Sequence, residues 1–420
     1  MDLPAGLGDR LVEALHAVHG EYPGHRAAHA KGSCCDAVFT PSEAGRALTR
    51  AAHFAGPEVP AVVRFSNGSG IPAYPDYARS DGRGMAVKFK LPDGTHADMV
   101  ALTLPVFFVR DPEAFMEFLT VTRPDPATRQ PDLALVGAFL ERHPETQSAL
   151  GAAMAGELPA SYLRARYNGI HAFRLTNSAG DSAWVRYRWE PAEGEAGIEP
   201  AAARAGGREY LQEQLRARLA QGPSGFRLVF ILAGDGDSLT DPTEAWPEDR
   251  GEVVAGHLSV TSVSDLGACE PLVFDPTNVV DGIDLPDDPI LHARSVAYAR
   301  SFAARRGMTL PSGTPAAPPT DAGAAALRQA QDLEPGTMRV AEVDGNRVGV
   351  ANVAGTMRAF QDRCPHRGCS LGEGALAGNT VTCACHGSQF DLVTGAVLRG
   401  PAKDPINVYG GADAGGTNAT

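Results

Sequence analysis

The chain has 420 residues, 43% hydrophobic and 21% charged, with 37 Lys and Arg against 50 Asp and Glu for a formal net charge of -13. That length predicts two or three domains, no run of about 18 apolar residues is there to span a bilayer, and the acidic balance argues against nucleic acid or an anionic membrane as the main partner. The first residues, MDLPAGLGDR, carry acids where a signal peptide needs basic and then apolar residues, so a cytoplasmic location is expected.

In chain order, helices are predicted from Leu7 to His19 and from Ser42 to His53, followed by strands in AVVRFSN, GMAVKFKLPDG and HADMVALTLPVFFV. Helices from Asp111 to Thr122 and from Pro131 to Arg142 precede HAFRLTNSAGDSAWVRYRWEP, which reads as a hairpin turning at Ser178-Ala179-Gly180-Asp181. A helix from Arg208 to Gln221, the strand GFRLVFILAG and a helix from Leu291 to Arg306 complete an α+β unit around a β-barrel or strongly curved antiparallel sheet, residues 1–307. Pro, Gly, Ala and Thr then crowd between Met308 and Gly323, and an exposed linker is expected over 308–329. TMRVAEV, NRVGVANV, TMRAFQD, NTVTCAC and SQFDLVTGAV predict a small all-β domain over 330–411, and 412–420 is expected to be a disordered tail.

Seven cysteines are placed unevenly. Cys34 and Cys35 read as buried thiols, a loop or a redox pair, and Cys269 reads as core. Cys364, Cys369, Cys383 and Cys385 fall within 22 residues, which in a cytosolic chain points to metal or redox chemistry before structural disulfides. Cys364-Pro365-His366 and Cys383-Ala384-Cys385-His386 supply two Cys and His pairs. A 2Fe-2S cluster with two thiolates on one iron and two imidazoles on the other needs such a set, and a four-ligand zinc site is the alternative. The stretch from about residue 330 to 410 resembles a Rieske domain, in particular the high-potential Rieske proteins of cytochrome bc complexes. The resemblance implies a cluster held by Cys364, His366, Cys383 and His386, a Cys369–Cys385 disulfide joining the two cluster loops, and Ser388 hydrogen-bonded to a cluster sulfur. Phe390 stands where that subfamily has a tyrosine, so one potential-raising hydrogen bond is expected to be missing.

Towards the N-terminus, His29 follows Arg26, Arg64-Phe65-Ser66 lies on a predicted strand, and Arg294 and Tyr298 share one helix face at i,i+4. A guanidinium so placed favours the tyrosinate that ferric haem accepts as an axial ligand. Taken singly, each of these residues has an ordinary structural role open to it. Taken together, HRAAHAKG, VVRFSNGSG, SDGRGMAVKFK, DMVALTLPVFFVRDPEAF, VFDPTNVVDGI and DDPILHARSVAYARSFAARR resemble, in order, the haem catalases from about residue 20 to 306. The likeness is to the short catalase-related peroxidases that lack an extra C-terminal domain. It implies a catalase-like antiparallel β-barrel with surrounding helices, haem b as cofactor, His29 as distal acid/base with Ser66 behind it, Tyr298 as axial ligand and Arg294 as the residue that ionises it. Arg26, Arg64 and Arg305 correspond to arginines that bind haem propionates, Phe115 to an aromatic over the distal face, and Val63 and Phe108 to lining residues. Where the family reads D-L-V-G-N-N-T-P, this chain reads Asp98-Met99-Val100-Ala101-Leu102-Thr103-Leu104-Pro105, and the asparagine that helps hold peroxide is lost.

The two resemblances together imply a peroxidase that reduces hydrogen or organic peroxide with electrons relayed by its own 2Fe-2S cluster, since peroxide-oxidised haem is a far stronger oxidant than a Rieske centre. The external donor is expected to be a small molecule or a ferredoxin and reductase, and the chain a homo-oligomer. A true catalase, a haem and Rieske oxygenase of secondary metabolism, and a non-catalytic redox sensor are the rival readings.

Overall fold

Strands with buried apolar faces organise the chain as far as Ser264, in a computed structural model that describes residues 3–4, 6–79, 81–125, 127–128, 130–307 and 320–413. Eight of them, β1 (Gly32–Pro41), β2 (Val59–Asn67), β3 (Arg83–Lys90), β4 (His96–Leu102), β5 (Tyr167–Thr176), β6 (Ser182–Pro191), β7 (Ser224–Leu232) and β8 (Glu252–Ser264), form an antiparallel barrel. Their order is β4-β3-β2-β1-β8-β7-β6-β5, and Leu102 of β4 pairs with Asn168 of β5 to close the ring. A short β9 (Ile283–Asp284) adds to β5. Phe39, Phe65, Phe89, Trp189, Phe226 and Phe230 are buried to 1% exposure or less and fill the interior. Each such side chain withdrawn from water stabilises the fold by about 1.5–3 kcal/mol.

Helices sit between the strands: α1 (Leu7–His19), α2 (Glu43–Leu48), α3 (Ala52–Ala55), α4 (Pro112–Val121), α5 (Leu133–Arg142), α6 (Thr146–Ala155), α7 (Pro200–Ala205), α8 (Tyr210–Leu219), α9 (Leu266–Cys269) and α10 (Pro289–Arg305). The expected helix from Ser42 to His53 is two pieces, because Ser42 caps α2 through Gly45 N at 2.9 Å and the chain becomes extended at Thr49. The hairpin turn forms as expected, with Asn177 Oδ1 accepting from the amides of Ala179 and Asp181. Among the described residues no helix is long and apolar enough to cross a membrane.

Backbone contacts divide the chain into two compact units that part within α10, after Tyr298. In the second, α11 (Thr320–Gln329) precedes a four-stranded sheet of β10 (Met338–Val343), β11 (Asn346–Val353), β12 (Thr356–Gln361) and β17 (Val408–Asp413). A second sheet carries β13 (Ala375–Ala377), β14 (Thr380–Thr382), β15 (Gln389–Asp391) and β16 (Val397–Arg399). Two expectations are corrected here. The linker does not extend over 320–329: Ala322, Ala326 and Ala330, at helical spacing, pack on Val348, Val350 and Ala359, so a stretch with little bulk is nevertheless buried. Its remaining part, 308–319, lies outside the described residues. Nor does the tail begin at residue 412, since Ala412 and Asp413 pair with Met357 and Thr356 and the β12 edge satisfies their backbone; residues 414–420 lie outside the described residues.

Candidate functional site

The first site grows from one tight connection. His29 sits between α1 and β1 in the left-handed region, φ 55°, a conformation that costs a non-glycine residue energy and is held by its surroundings. Its N–H donates to Gly68 O and that of Ala30 to Ser69 O, both at 3.0 Å. The imidazole Nδ1 lies 3.0 Å from Ser66 Oγ, on β2. Gly84, on the neighbouring β3, makes room for this pair: a Cβ there would lie 2.8 Å from Ser66 Oγ and 2.9 Å from the ring. Burial, then the charges of Arg64, Arg294 and Arg26, push the His29 imidazolium pKa down to about 3. The ring is therefore neutral at ordinary pH, and in the tautomer whose Nδ1–H donates to Ser66, Nε2 presents its lone pair.

His29 faces an almost wholly apolar pocket of about 120 Å³ whose walls include Leu102, Phe107, Phe115, Arg294 and Tyr298. On α10, Arg294 Nε donates to Tyr298 Oη at 3.0 Å, and Arg294 Nη1 lies 2.8 Å from His171 Nε2. Because a guanidinium only donates, His171 carries its proton on Nδ1 and donates it to Asp288 Oδ2, 2.6 Å away. Asp288 also caps α10, its Oδ1 accepting from the amides of Ile290 and Leu291 at 2.9 and 3.1 Å. One carboxylate thus starts the helix that carries Tyr298 and, through His171, orients the guanidinium beside the phenol. Sequence reasoning missed His171 and Asp288; Asp288-Pro289 is a helix-start signal that could have flagged the second.

His29, Arg294, Tyr298 and Phe115 line one pocket, with Ser66 behind His29. Arg26 and Arg64 converge on Glu270, and Arg305 stacks over Phe302 at 4.8 Å. Val63 is instead packed in the barrel core and Phe108 stacks on Phe118, so Phe107 takes the wall position. Cys34 is bonded to Cys269, leaving Cys35 a buried thiol, so the vicinal pair is not a redox pair. A flat, largely apolar macrocycle with a ferric iron fits this donor set: an oriented phenol and a neutral, half-buried imidazole facing one greasy pocket.

The second site is built from two loops of one design. Cys364 N donates to Cys369 O and Cys383 N to Ser388 O, both at 2.8 Å. Gly368 and Gly387, at φ 77° and 74°, send their N–H back to the carbonyls of Cys364 and Cys383. Each loop is thus a five-residue clamp that glycine's left-handed conformation allows to close. Cys364 and Cys383 are buried free thiols joined by a hydrogen bond, which holds Cys364 well above its ordinary pKa and draws Cys383 down to about 6. The rings of His366 and His386 are 4.6 Å apart, centroid to centroid. The Cys369–Cys385 disulfide links the loops, Cα to Cα 6.5 Å. The sulfurs of Cys369, Cys383 and Cys385 lie within 4.8 Å of one another, yet two of these are spent on each other, which leaves Cys364, His366, Cys383 and His386 as a Cys2His2 donor set that could hold a Rieske cluster. Ser388 Oγ accepts from Ala402 N at 3.0 Å and keeps its own proton to donate. Asp362, which sequence reasoning passed over, braces the first loop: its carboxylate accepts from Ser370 Oγ, Gly372 N and Arg347 Nε.

Comparison with known proteins finds two families in the chain. The catalase family model matches residues 7–346 and the Rieske [2Fe-2S] domain model residues 324–410. A catalase-related peroxidase of Synechococcus elongatus is 35% identical over 303 residues, 71% of this chain and 89% of that protein. One from Mycolicibacterium paratuberculosis is 37% identical over 304 residues, covering 71% and 95%. A fungal catalase structure superposes with a TM-score of 0.61 at 25% identity, covering 71% of this chain and 62% of that one. The chain belongs to the catalase family, a haem peroxidase/catalase-type oxidoreductase that also carries a Rieske domain and so takes haem and a 2Fe-2S cluster as cofactors.

Proposed function

We propose that the chain reduces hydrogen or organic peroxide at its haem, with electrons passed on by its own Rieske cluster. The observation that carries the reading is Leu102, an apolar side chain on the pocket wall that His29 also lines. Without an amide there, a second peroxide has no hydrogen-bond partner to orient it for oxidation, whereas His29 and Ser66 still serve the first. Thr103, its neighbour, is not among the residues lining that pocket, and its Oγ1 instead accepts from Arg83 N at 3.0 Å.

In this reading the haem supplies the iron at which the O–O bond breaks, and the cluster stores single electrons. His29 Nε2 takes the proton of the arriving peroxide and returns it to the departing oxygen, with Ser66 accepting from Nδ1–H in the tautomer that makes this work. Arg294, oriented by His171 and Asp288, donates from Nε to the Tyr298 oxygen and holds it in place. Arg26 and Arg64, and Arg305 further along α10, are the propionate anchors. Cys364 and Cys383 as thiolates and His366 and His386 as imidazoles would hold the cluster, with Ser388 beside it to donate a hydrogen bond.

Mixing the reduced full-length protein with hydrogen peroxide in a stopped-flow spectrometer, with dissolved oxygen followed alongside, tests the reading. Recovery of the haem spectrum in step with cluster oxidation, and little oxygen, is expected. Oxygen released at about half the peroxide consumed while the cluster stays reduced would make the protein a catalase and sink the relay.

A further inference from the structure

Arg64, buried, and Arg26, largely so, meet on a single carboxylate. Arg26 Nη1 is 2.5 Å from Glu270 Oε2, and Arg64 Nη2 is 3.7 Å from Glu270 Oε1. Arg26 Nη2 also donates to the carbonyls of Cys269 and Leu272 at 3.4 and 3.2 Å, so the segment on both sides of Glu270 is gathered on this guanidinium. Burial draws the Arg26 pKa down while Glu270 pulls it up. Two guanidiniums side by side out of water repel each other, and a carboxylate between them relieves that repulsion.

The segment that delivers this carboxylate is tethered. Cys269, the residue before Glu270, is disulfide-bonded to Cys34 with Cα atoms 6.2 Å apart, and neither cysteine is exposed. Cys34 lies on β1 directly across the ladder from Arg64 on β2. The bridge therefore fixes Glu270 to the strand pair that presents one of its two partners. The Glu270 side chain is 34% exposed against 12% for Arg26 and 4% for Arg64, so it is the member of the trio with room to leave.

We propose that Glu270 is a place-holder carboxylate, occupying the seat of a haem propionate on Arg26 and Arg64 until the haem displaces it. This rests on the reading of those arginines as propionate anchors. Propionate and glutamate offer the same charged, two-oxygen acceptor to the same donors, and the seat holds one of them. The Cys34–Cys269 bond keeps the backbone fixed, so the exchange is a side-chain movement, and the arginines are already in position when the haem enters. Glu270 thereby sets how tightly the protein keeps its haem.

The test is haem transfer from the full-length, haem-loaded protein to excess apomyoglobin, followed by Soret absorbance, for the wild type, Glu270→Gln, Cys269→Ser and Arg26→Gln. Glu270→Gln, nearly isosteric, removes the competitor and should slow haem loss about tenfold, the size of one charge-assisted hydrogen bond. Cys269→Ser loosens the competitor and should slow it by less, while Arg26→Gln should speed it. Glu270→Gln losing haem at the wild-type rate or faster overturns the proposal, because Glu270 is then a fixed counter-ion. Cys269→Ser losing haem at the wild-type rate overturns the tethered exchange. Arg26→Gln without effect overturns the anchor reading itself, and the place-holder with it.

Discussion

The Nη1 of Arg294 sits 2.8 Å from the Nε2 of His171, and through that contact the phenol of Tyr298 is coupled to the buried carboxylate of Asp288. Asp288→Asn would replace an acceptor with an amide and let the His171 proton move to Nε2, where it opposes the Arg294 donor. Peroxidase kcat should fall ten- to a hundredfold, the usual cost of losing an outer orienting partner. The ligand-field bands of the ferric haem should shift while haem content is retained. Unchanged bands would mean that Asp288 acts only as a helix cap.

Gly84→Ala should damage the distal site without unfolding the barrel. The new methyl would sit 2.8 Å from Ser66 Oγ and 2.9 Å from the His29 ring, and the imidazole must give way. Misplacement of a catalytic group by about 1 Å costs on the order of a hundredfold. The rate of haem oxidation by peroxide should drop accordingly, with a melting temperature within a few degrees of the wild type.

Leu102→Asn restores an amide to the pocket wall. The ratio of oxygen released to peroxide consumed should rise towards the value for disproportionation, measured with an oxygen electrode and no added electron donor. A ratio that does not move would place the determinant elsewhere in the pocket.

Stability should fall with acid below about pH 6.5. The imidazoles of His29 and His53 are both pushed down to about 3, chiefly by burial, so between those limits the unfolded chain binds protons that the native chain does not. Each contributes a slope of up to about 1.4 kcal/mol per pH unit, with stability rising as pH rises. Asp81, held up at about 6 by burial, has the opposite sign between about pH 4 and 6, leaving a net loss on acidification. His53 stacks on Phe89 at 4.6 Å, and neither of its ring nitrogens has a hydrogen-bond partner among the described residues. His53→Leu should therefore flatten the dependence by one histidine's share in urea titrations at pH 7 and pH 5.

Cys385→Ser retains the Cys2His2 set but severs the link between the cluster loops. The cluster should form, with its Rieske-type electron paramagnetic resonance signal, and then be lost faster on warming. Ser388→Ala should instead leave cluster lifetime alone and lower its reduction potential.

Much of this was written locally. The Cys and His spacings, the period-2 runs and the helix from Leu7 to His19 depend on residues close in sequence, and the last occupies the expected span. Strand β8 gave no clear signal because bulges at Ala255 and Thr261, opposite Leu228/Val229 and Asp36/Ala37, interrupt its alternation, and β1 gave none because its first four residues are all buried. Long-range pairings were equally hidden: His171 lies 117 residues from Asp288 and Cys34 235 from Cys269. Nothing in the sequence marks His29 for a positive φ; that conformation is imposed by the loop at Gly68 and Ser69. The helix over 320–329 was obscured by alanine, which packs well and looks like linker in a Pro- and Gly-rich neighbourhood.

Closure of the barrel at Leu102 and Asn168 has a consequence for the chain in a crowded solution. Segments such as VVRFSN and GFRLVFIL are apolar, β-prone and nearly uncharged, the composition that templates cross-β association when an edge is offered. Each lies inside the ring with a neighbour hydrogen-bonded on either side. Protection from self-association is thus a property of the whole circle, and a substitution that parts β4 from β5 should be felt first as insolubility.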